Sequence, residues 1–305
     1  MVVVGTEITQ SLPRLASEFA GVEAVDLTGE ISDDLKVDVL FGGWGKNAIE
    51  MVRRGVQWVQ LSGTGFDRVP QEILDAPLVT CARGASAVPI SEFVLASMLA
   101  FEKDFPANWL TEAPPHWNFQ RMDSMAGKTL GIVGLGGIGA RVARLALAFE
   151  MEVIGLRRHV ELGSPVPGAS VTASLDDILP VADHLVLAAP ATARTRHLLD
   201  ADAFARMKHG VHLVNIARGT LVDQDALRAA LDSGAVARAS LDVVDPEPLP
   251  DGHWLFSHPN VRLTPHSSWS SHAFFESAVD IFCTNLRHFL DGDELIYQID
   301  RDEGY

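Results

Sequence analysis

Cysteine is nearly absent from this chain of 305 residues: Cys81 and Cys283 stand far apart and share no metal-like spacing. That usage argues against a disulfide framework and fits a reducing compartment. Positive charge is also short, with 24 Lys and Arg against 40 Asp and Glu and a formal net charge of −16. An acidic surface repels phosphate backbones, so a general nucleic-acid surface is excluded. No apolar run approaches the roughly 20 residues a membrane span needs. The start, MVVVGTEITQ, has no charged region followed by a long apolar one, so no signal peptide is expected and the cytoplasm is the expected location. Repeats, low-complexity tracts and long linkers are missing too. The histidines, cysteines and acids never cluster with ligand spacing, so no metal is expected.

What remains is a regular alternation. Short β-like runs such as VDVLF (37–41), VQWVQLS (56–62) and PLVTCA (77–82) give way to turns and helical patterns, as in parallel α/β sheets. ISEFVLASMLAF (90–101) reads as one apolar helix, followed by a Pro- and Trp-rich stretch, DFPANWLTEAPPHWNFQ (104–120). Two doubly wound parallel-sheet domains, Rossmann-like or flavodoxin-like, are expected. One comprises 1–98 with 273–305 and the other 99–272, the helix HAFFESAVDIFCTNLRHFL (272–290) returning the chain to the first.

TLGIVGLGGIGARVARLALAF carries Gly134-x-Gly136-x-x-Gly139 between a predicted strand and an amphipathic helix. That context suits a dinucleotide: Gly134 for the turn, Gly136 for close approach of backbone to pyrophosphate, and Gly139 for helix–strand packing. Gly137 and Ile138 open the helix in between. The next strand ends at VIGLRRH, with Arg157 eighteen residues after Gly139. An acidic residue at about this point would hold a ribose 2′-hydroxyl and repel a 2′-phosphate. Arg157 and Arg158 instead offer planar forks that grip a phosphate, which favours NADP, with NAD possible and two solvated arginines the plainer reading.

Later strands end on useful groups: Pro190 with Thr192 and Thr195 after it, then Arg218, Asp242 and His266. In open α/β sheets ligands sit outside such ends.

The runs GLGGIG, NIARGTLVDQDAL, SLDVVDPEPLP and RLTPHSS, with LSGTGFD (61–67) and a closing DRDEGY, resemble the D-isomer-specific 2-hydroxyacid dehydrogenases over nearly the whole chain. The resemblance implies an NAD(P)-dependent oxidoreductase with its active site in the cleft between the domains. Arg218 matches the arginine that grips the substrate's carboxylate and carbonyl. His266 matches the general acid and Glu247 its paired carboxylate. The residue types suit the chemistry, since reducing a 2-oxo acid puts hydride on carbon and a proton on oxygen. Gly63, Thr64 and Gly65 resemble the substrate loop, where two glycines would let successive amides form an anion nest. Asp242, Ile216, Ala217 and Ser268 are expected around the cofactor.

Trp269 is bulkier than what often follows the histidine, and it and Trp44, on the opposite wall, either line the pocket or pack in the core or at the rim. His184, His197 and His288 are expected on the surface. A homodimer built on the cofactor domain is implied, with 109–117 an exchanged arm or a covering loop. The reaction expected is NADPH-dependent reduction of a small 2-oxo acid, glyoxylate or hydroxypyruvate favoured. Alternatives are an NAD-dependent relative with another substrate, a formate-type enzyme, disfavoured because that pattern has glutamine where Glu247 stands, and a nucleotide-sensing corepressor, whose extra tails are not expected here.

Overall fold

The structure, a computed structural model, describes residues 1–117 and 122–300. The closing DRDEGY, Asp300 apart, lies outside the described residues. The chain divides into two compact units, Met1–Ser86 with the segment from Ser271, and Ala87–Ser270.

In the first unit β1 (Val2–Thr6), α1 (Leu12–Glu18), β2 (Val22–Asp26), β3 (Val39–Gly42), α2 (Lys46–Arg53), β4 (Trp58–Leu61), α3 (Gln71–Leu74) and β5 (Leu78–Thr80) follow in turn. The strands pair in parallel in the order β2-β1-β3-β4-β5, a doubly wound arrangement. β3 and β4 are buried at every residue, as strands covered on both faces must be.

The second unit begins with α4 (Ala87–Glu102) and continues with β6 (Thr129–Val133), α5 (Gly137–Ala148), β7 (Glu152–Leu156), β8 (Ser170–Thr172), β9 (His184–Leu187), α6 (Ala201–Ala205), β10 (Val211–Asn215), α7 (Gln224–Asp232), β11 (Val236–Leu241) and β12 (Val261–Leu263). Its parallel sheet runs β12-β11-β10-β9-β6-β7-β8. The direction of winding reverses between β6 and β9, the switch point at which such sheets open a crevice. Both expected parallel sheets are therefore present. The expected domain limit at 98/99 falls inside α4, a helix apolar around most of its circumference and packed on α5, so the units separate at 86/87 instead.

α8 (His272–Asp291) returns to the first unit, capped by the Ser271 hydroxyl, which accepts from Phe274 N, and closed by left-handed Gly292. Phe282 on α8 stacks on Phe41 at 4.3 Å and Trp58 at 5.4 Å, and such ring pairs add about 1 kcal/mol each beyond area burial. A buried polar chain completes the join. Trp58 Nε1 donates to Thr80 Oγ1, whose hydroxyl donates to Gln60 Oε1, which also accepts from Asn285 Nδ2 on α8.

His184, expected on the surface, is instead fully buried at the start of β9. Its Nε2 lies 2.9 Å from Glu102 Oε1, and its Nδ1 lies 3.1 Å from His212 Nδ1 on β10. His212 Nε2 reaches Ser240 Oγ at 3.0 Å, while Lys128 Nζ holds the other Glu102 oxygen at 2.5 Å. Burial pushes the Glu102 carboxyl up, but its contacts with His184 and Lys128 outweigh that and hold it below the usual range. Burial first, then the charges of His184 and Arg238, drive His212 well below the ordinary histidine value. These strands sit in the middle of the sheet, so even their polar side chains point into the core.

Candidate functional site

At the switch point the glycine turn is built by contact. A side-chain carbon on Gly134, whose φ is +100°, would come within 2.8 Å of the Ala188 and Ala189 backbone after β9. One on Gly139 would strike the carbonyl of Gly134, whereas at Gly136 nothing stands within 4 Å. The two outer glycines thus close the turn and the middle one leaves its approach open, ahead of the N-terminus of a twelve-residue helix. Gly137 begins α5, and Ile138 packs against the core beneath. This is the shape a pyrophosphate requires.

The neighbouring strand ends follow. At the end of β7, Arg157 donates from Nη1 to the Gly163 carbonyl at 2.6 Å, and both Arg157 and Arg158 are half-buried. After β9, Thr195 ties its hydroxyl to the Pro190 carbonyl at 2.7 Å and accepts from Thr192 N at 2.8 Å, which shapes that loop. Ile216 and Ala217 are buried in the core after β10.

Arg218 is placed by a residue that sequence reasoning missed. Asn215, buried at the end of β10, accepts from Ala217 N at 3.0 Å and donates to the Arg218 carbonyl at 2.9 Å. The next residue, Gly219, lies so close to Val244 and Asp245 that any side chain there would strike their backbone. The Arg218 turn is thereby pressed against the loop that leads to Glu247. Gln224, also unforeseen, brackets that loop by donating to the Asp245 carbonyl and accepting from Asp245 N at 3.3 Å.

Glu247 Oε1 accepts from Val244 N at 3.0 Å, and Glu247 Oε2 lies 2.9 Å from His266 Nδ1. The carboxylate side chain is 12% exposed and the imidazole 31%, so the pair is shielded but reachable. His266 holds a left-handed backbone, φ 53°, which a non-glycine residue adopts only when its surroundings impose it. Those surroundings are Asp242 and Trp269. Asp242, 2% exposed, accepts from Thr264 Oγ1 at 2.6 Å, Ser267 N at 2.9 Å, Ser268 N at 3.1 Å and the Ser268 hydroxyl. Trp269 Nε1 donates to the His266 carbonyl at 2.9 Å. Asp242 and Ser268, expected around a cofactor, are thus joined to each other, and Trp269 acts as a strut beneath the histidine. Because β10, β11 and β12 are neighbours, Arg218, Asp242 and His266 leave the sheet on adjacent loops.

In the first unit, Thr64 Oγ1 donates to the Ala82 carbonyl and Ala82 N to the Gly63 carbonyl, at 3.2 and 2.9 Å. Left-handed backbone falls at Gly42 and Gly43, not at Gly63 or Gly65, so the expected glycine nest at 63–65 is not formed by that conformation. Trp44 is 48% exposed and donates from Nε1 to Ser62 Oγ at 3.3 Å. Trp109 and Trp117 are exposed in a stretch of turns and bends. Among the described residues no His, Cys, Asp and Glu group could hold a metal, and no helix is long and apolar enough to cross a membrane.

Comparison with known proteins gives concordant results. A family model described as D-isomer specific 2-hydroxyacid dehydrogenase, NAD binding domain, matches residues 95–268. D-3-phosphoglycerate dehydrogenase of Methanocaldococcus jannaschii is 32% identical over 76% of this chain and 45% of its own. Glyoxylate reductase of Thermofilum pendens is 30% identical over 75% and 70%. The chain spans about half the length of several curated relatives it matches. Among solved structures, an NADPH-dependent glyoxylate/hydroxypyruvate reductase from Sinorhizobium meliloti, in complex with NADP and sulfate, superposes with a TM-score of 0.85 at 26% identity, covering 100% of both chains. With the glycine turn and the His266–Glu247 pair on one parallel sheet, these matches place the chain in the D-isomer-specific 2-hydroxyacid dehydrogenase family.

Proposed function

We propose that the protein reduces a small 2-oxo acid, glyoxylate or hydroxypyruvate, to the D-2-hydroxy acid at the expense of NADPH. The observation that carries this reading is the buried-edge pair of His266 and Glu247, held beside the Arg218 turn on the sheet that bears the glycine turn. When bound, the reduced nicotinamide supplies the hydride. The residues of this chain do the rest. Glu247 engages Nδ1 and leaves Nε2 of His266 to pass its proton to the oxygen that becomes the hydroxyl. Glu247 also fixes the ring's orientation, being itself fixed by Val244 N. Arg218 pairs with the substrate's carboxylate and carbonyl as a planar fork; in the first unit the Gly63–Gly65 loop is the candidate substrate loop. Gly134, Gly136, Gly137, Ile138 and Gly139 would receive the pyrophosphate, with Arg157 and Arg158 on the 2′-phosphate.

Support for the substrate comes from the glyoxylate reductase and the glyoxylate/hydroxypyruvate reductase described above. Support for NADP comes from the two arginines standing where a carboxylate would select NAD, and from the NADP-bound relative. NAD is the alternative, because the family model is named for it. A cytoplasmic homodimer built on the second unit belongs to the same proposal.

Initial rates at 340 nm for glyoxylate, hydroxypyruvate, pyruvate and phenylpyruvate, each with NADPH and NADH, test it. Replacing Arg157 and Arg158 together by Ala should raise the KM for NADPH at least tenfold, the loss of one charge-assisted contact being worth about 1.4 kcal/mol or more, and leave NADH unaffected. Equal turnover of wild type with NADH would overturn the cofactor, and no turnover of any acid would overturn the reaction.

A further inference from the structure

The FGGWG run, residues 41–45, ends β3 and leads into α2, and its backbone is built around a carboxylate. Glu7 directly follows β1, and β1 and β3 are neighbours in the sheet. Its carboxylate reaches across to three successive amides, accepting from Gly43 N at 2.8 Å and Trp44 N at 2.9 Å through Oε2, and from Gly45 N at 2.6 Å through Oε1. Gly42 and Gly43 adopt left-handed backbone, with φ of 141° and 100°, which turns these amides toward one point. Side chains at Gly42 or Gly45 would run into the Glu7 carboxylate, so the glycines make room for an anion that the chain itself provides. Gly45 caps α2, whose N-terminus adds its partial positive charge.

This filled nest lies beside the substrate loop of the reading above, on which the inference rests. Trp44, in the middle of the nest, donates from its indole to Ser62 Oγ, and Ser62 immediately precedes Gly63. An anion-binding backbone at the end of β3, next to the candidate substrate loop that follows its partner strand β4, would suit a substrate with two acidic groups. Glu7 puts a carboxylate in that position instead.

We infer that Glu7 determines substrate class: by occupying the amide nest of Gly43, Trp44 and Gly45 it bars a second anionic group and restricts the enzyme to 2-oxo acids whose carboxylate is their only anion. Hydroxypyruvate and its 3-phosphate are the discriminating pair, because they share a skeleton and differ in the distal anion alone. Glu7 acts on selectivity rather than on hydride or proton transfer.

The test measures kcat/KM for the 3-phosphate relative to hydroxypyruvate in the full chain. Glu7→Gln and Glu7→Ala should each raise that ratio about tenfold, the size of a like-charge repulsion across a partly solvated gap of a few ångströms. Glu50→Gln, which removes an exposed carboxylate elsewhere on the same unit, should leave the ratio within about twofold, a control for net charge alone. A ratio unchanged in both Glu7 variants that still reduce hydroxypyruvate overturns the inference and spares the proposed reaction. If wild type reduces no 2-oxo acid, the proposed reaction fails, and calorimetric titration with inorganic sulfate decides the nest by itself. Glu7→Ala should then bind one more sulfate than wild type does, and an equal number overturns it.

Discussion

Replacing Asp242 by Ala tests the support of the histidine loop most directly. The carboxylate is buried and accepts from two backbone amides, Ser267 N and Ser268 N, and from the hydroxyls of Thr264 and Ser268. In the Ala variant the hydroxyls can turn to other acceptors and Ser267 N, on an exposed residue, to water, but the buried Ser268 N loses its partner. At about 1–3 kcal/mol for the stranded amide and about 1 kcal/mol for the other lost hydrogen bond, the cost is about 3 kcal/mol, a large share of a typical stability of about 5–15 kcal/mol. Asp242→Asn should cost about 1–2 kcal/mol, because the amide oxygen still serves Ser267 N and the Ser268 hydroxyl can accept from the new NH2. Urea denaturation gives the global difference. Amide hydrogen exchange at Ser267 and Ser268 gives the local one, with protection lost in Ala and largely kept in Asn. Reduction should slow by about a hundredfold in Asp242→Ala, since a loop displaced by about 1 Å misplaces the proton donor. If Asp242→Ala matches Asp242→Asn in stability, exchange and rate, the loop is held by something else and the argument is wrong.

Two further outcomes follow from the same contacts. His266→Asn should lower kcat by about 10²–10⁴ with little change in the urea midpoint, and Glu247→Gln, which keeps the hydrogen-bond geometry and loses the charge, should lower it less; the reverse order would remove the histidine from the role of acid. Acid should destabilise the fold through His212: above about pH 6.5 neither folded nor unfolded chain protonates it, and below that the unfolded chain alone does, so stability falls by about 1.4 kcal/mol per pH unit until the depressed folded value is reached. Urea midpoints between pH 7.5 and 5 would show this slope in wild type and a shallower one in His212→Asn, and parallel slopes would contradict it.

How far these features could be read in advance depends on the range of the interaction concerned. The glycine turn was legible because each glycine answers a contact within a few residues or on the next strand: Gly139 against Gly134, and Gly134 against the Ala188–Ala189 backbone. Strand ends bearing Arg218, Asp242 and His266 were legible because a parallel sheet places consecutive strand ends along one edge. Asn215 and Gln224 were not, since an amide side chain bracketing a backbone segment leaves no periodicity and no motif. His184 was misplaced for a related reason. Sequence marks histidine as polar, and only the pairing of β9 with β10 puts His212 beside it and only the packing of α4 brings Glu102 within 2.9 Å, which makes burial tolerable. The nest shows the same limit from the other side. Two glycines in SGTG and three in FGGWG look alike as letters, yet the left-handed backbone falls in the second, because Glu7, just past the end of the neighbouring strand β1, supplies the anion that rewards that conformation. A glycine pair therefore announces permission to turn, and the group that uses the permission must be sought across the sheet.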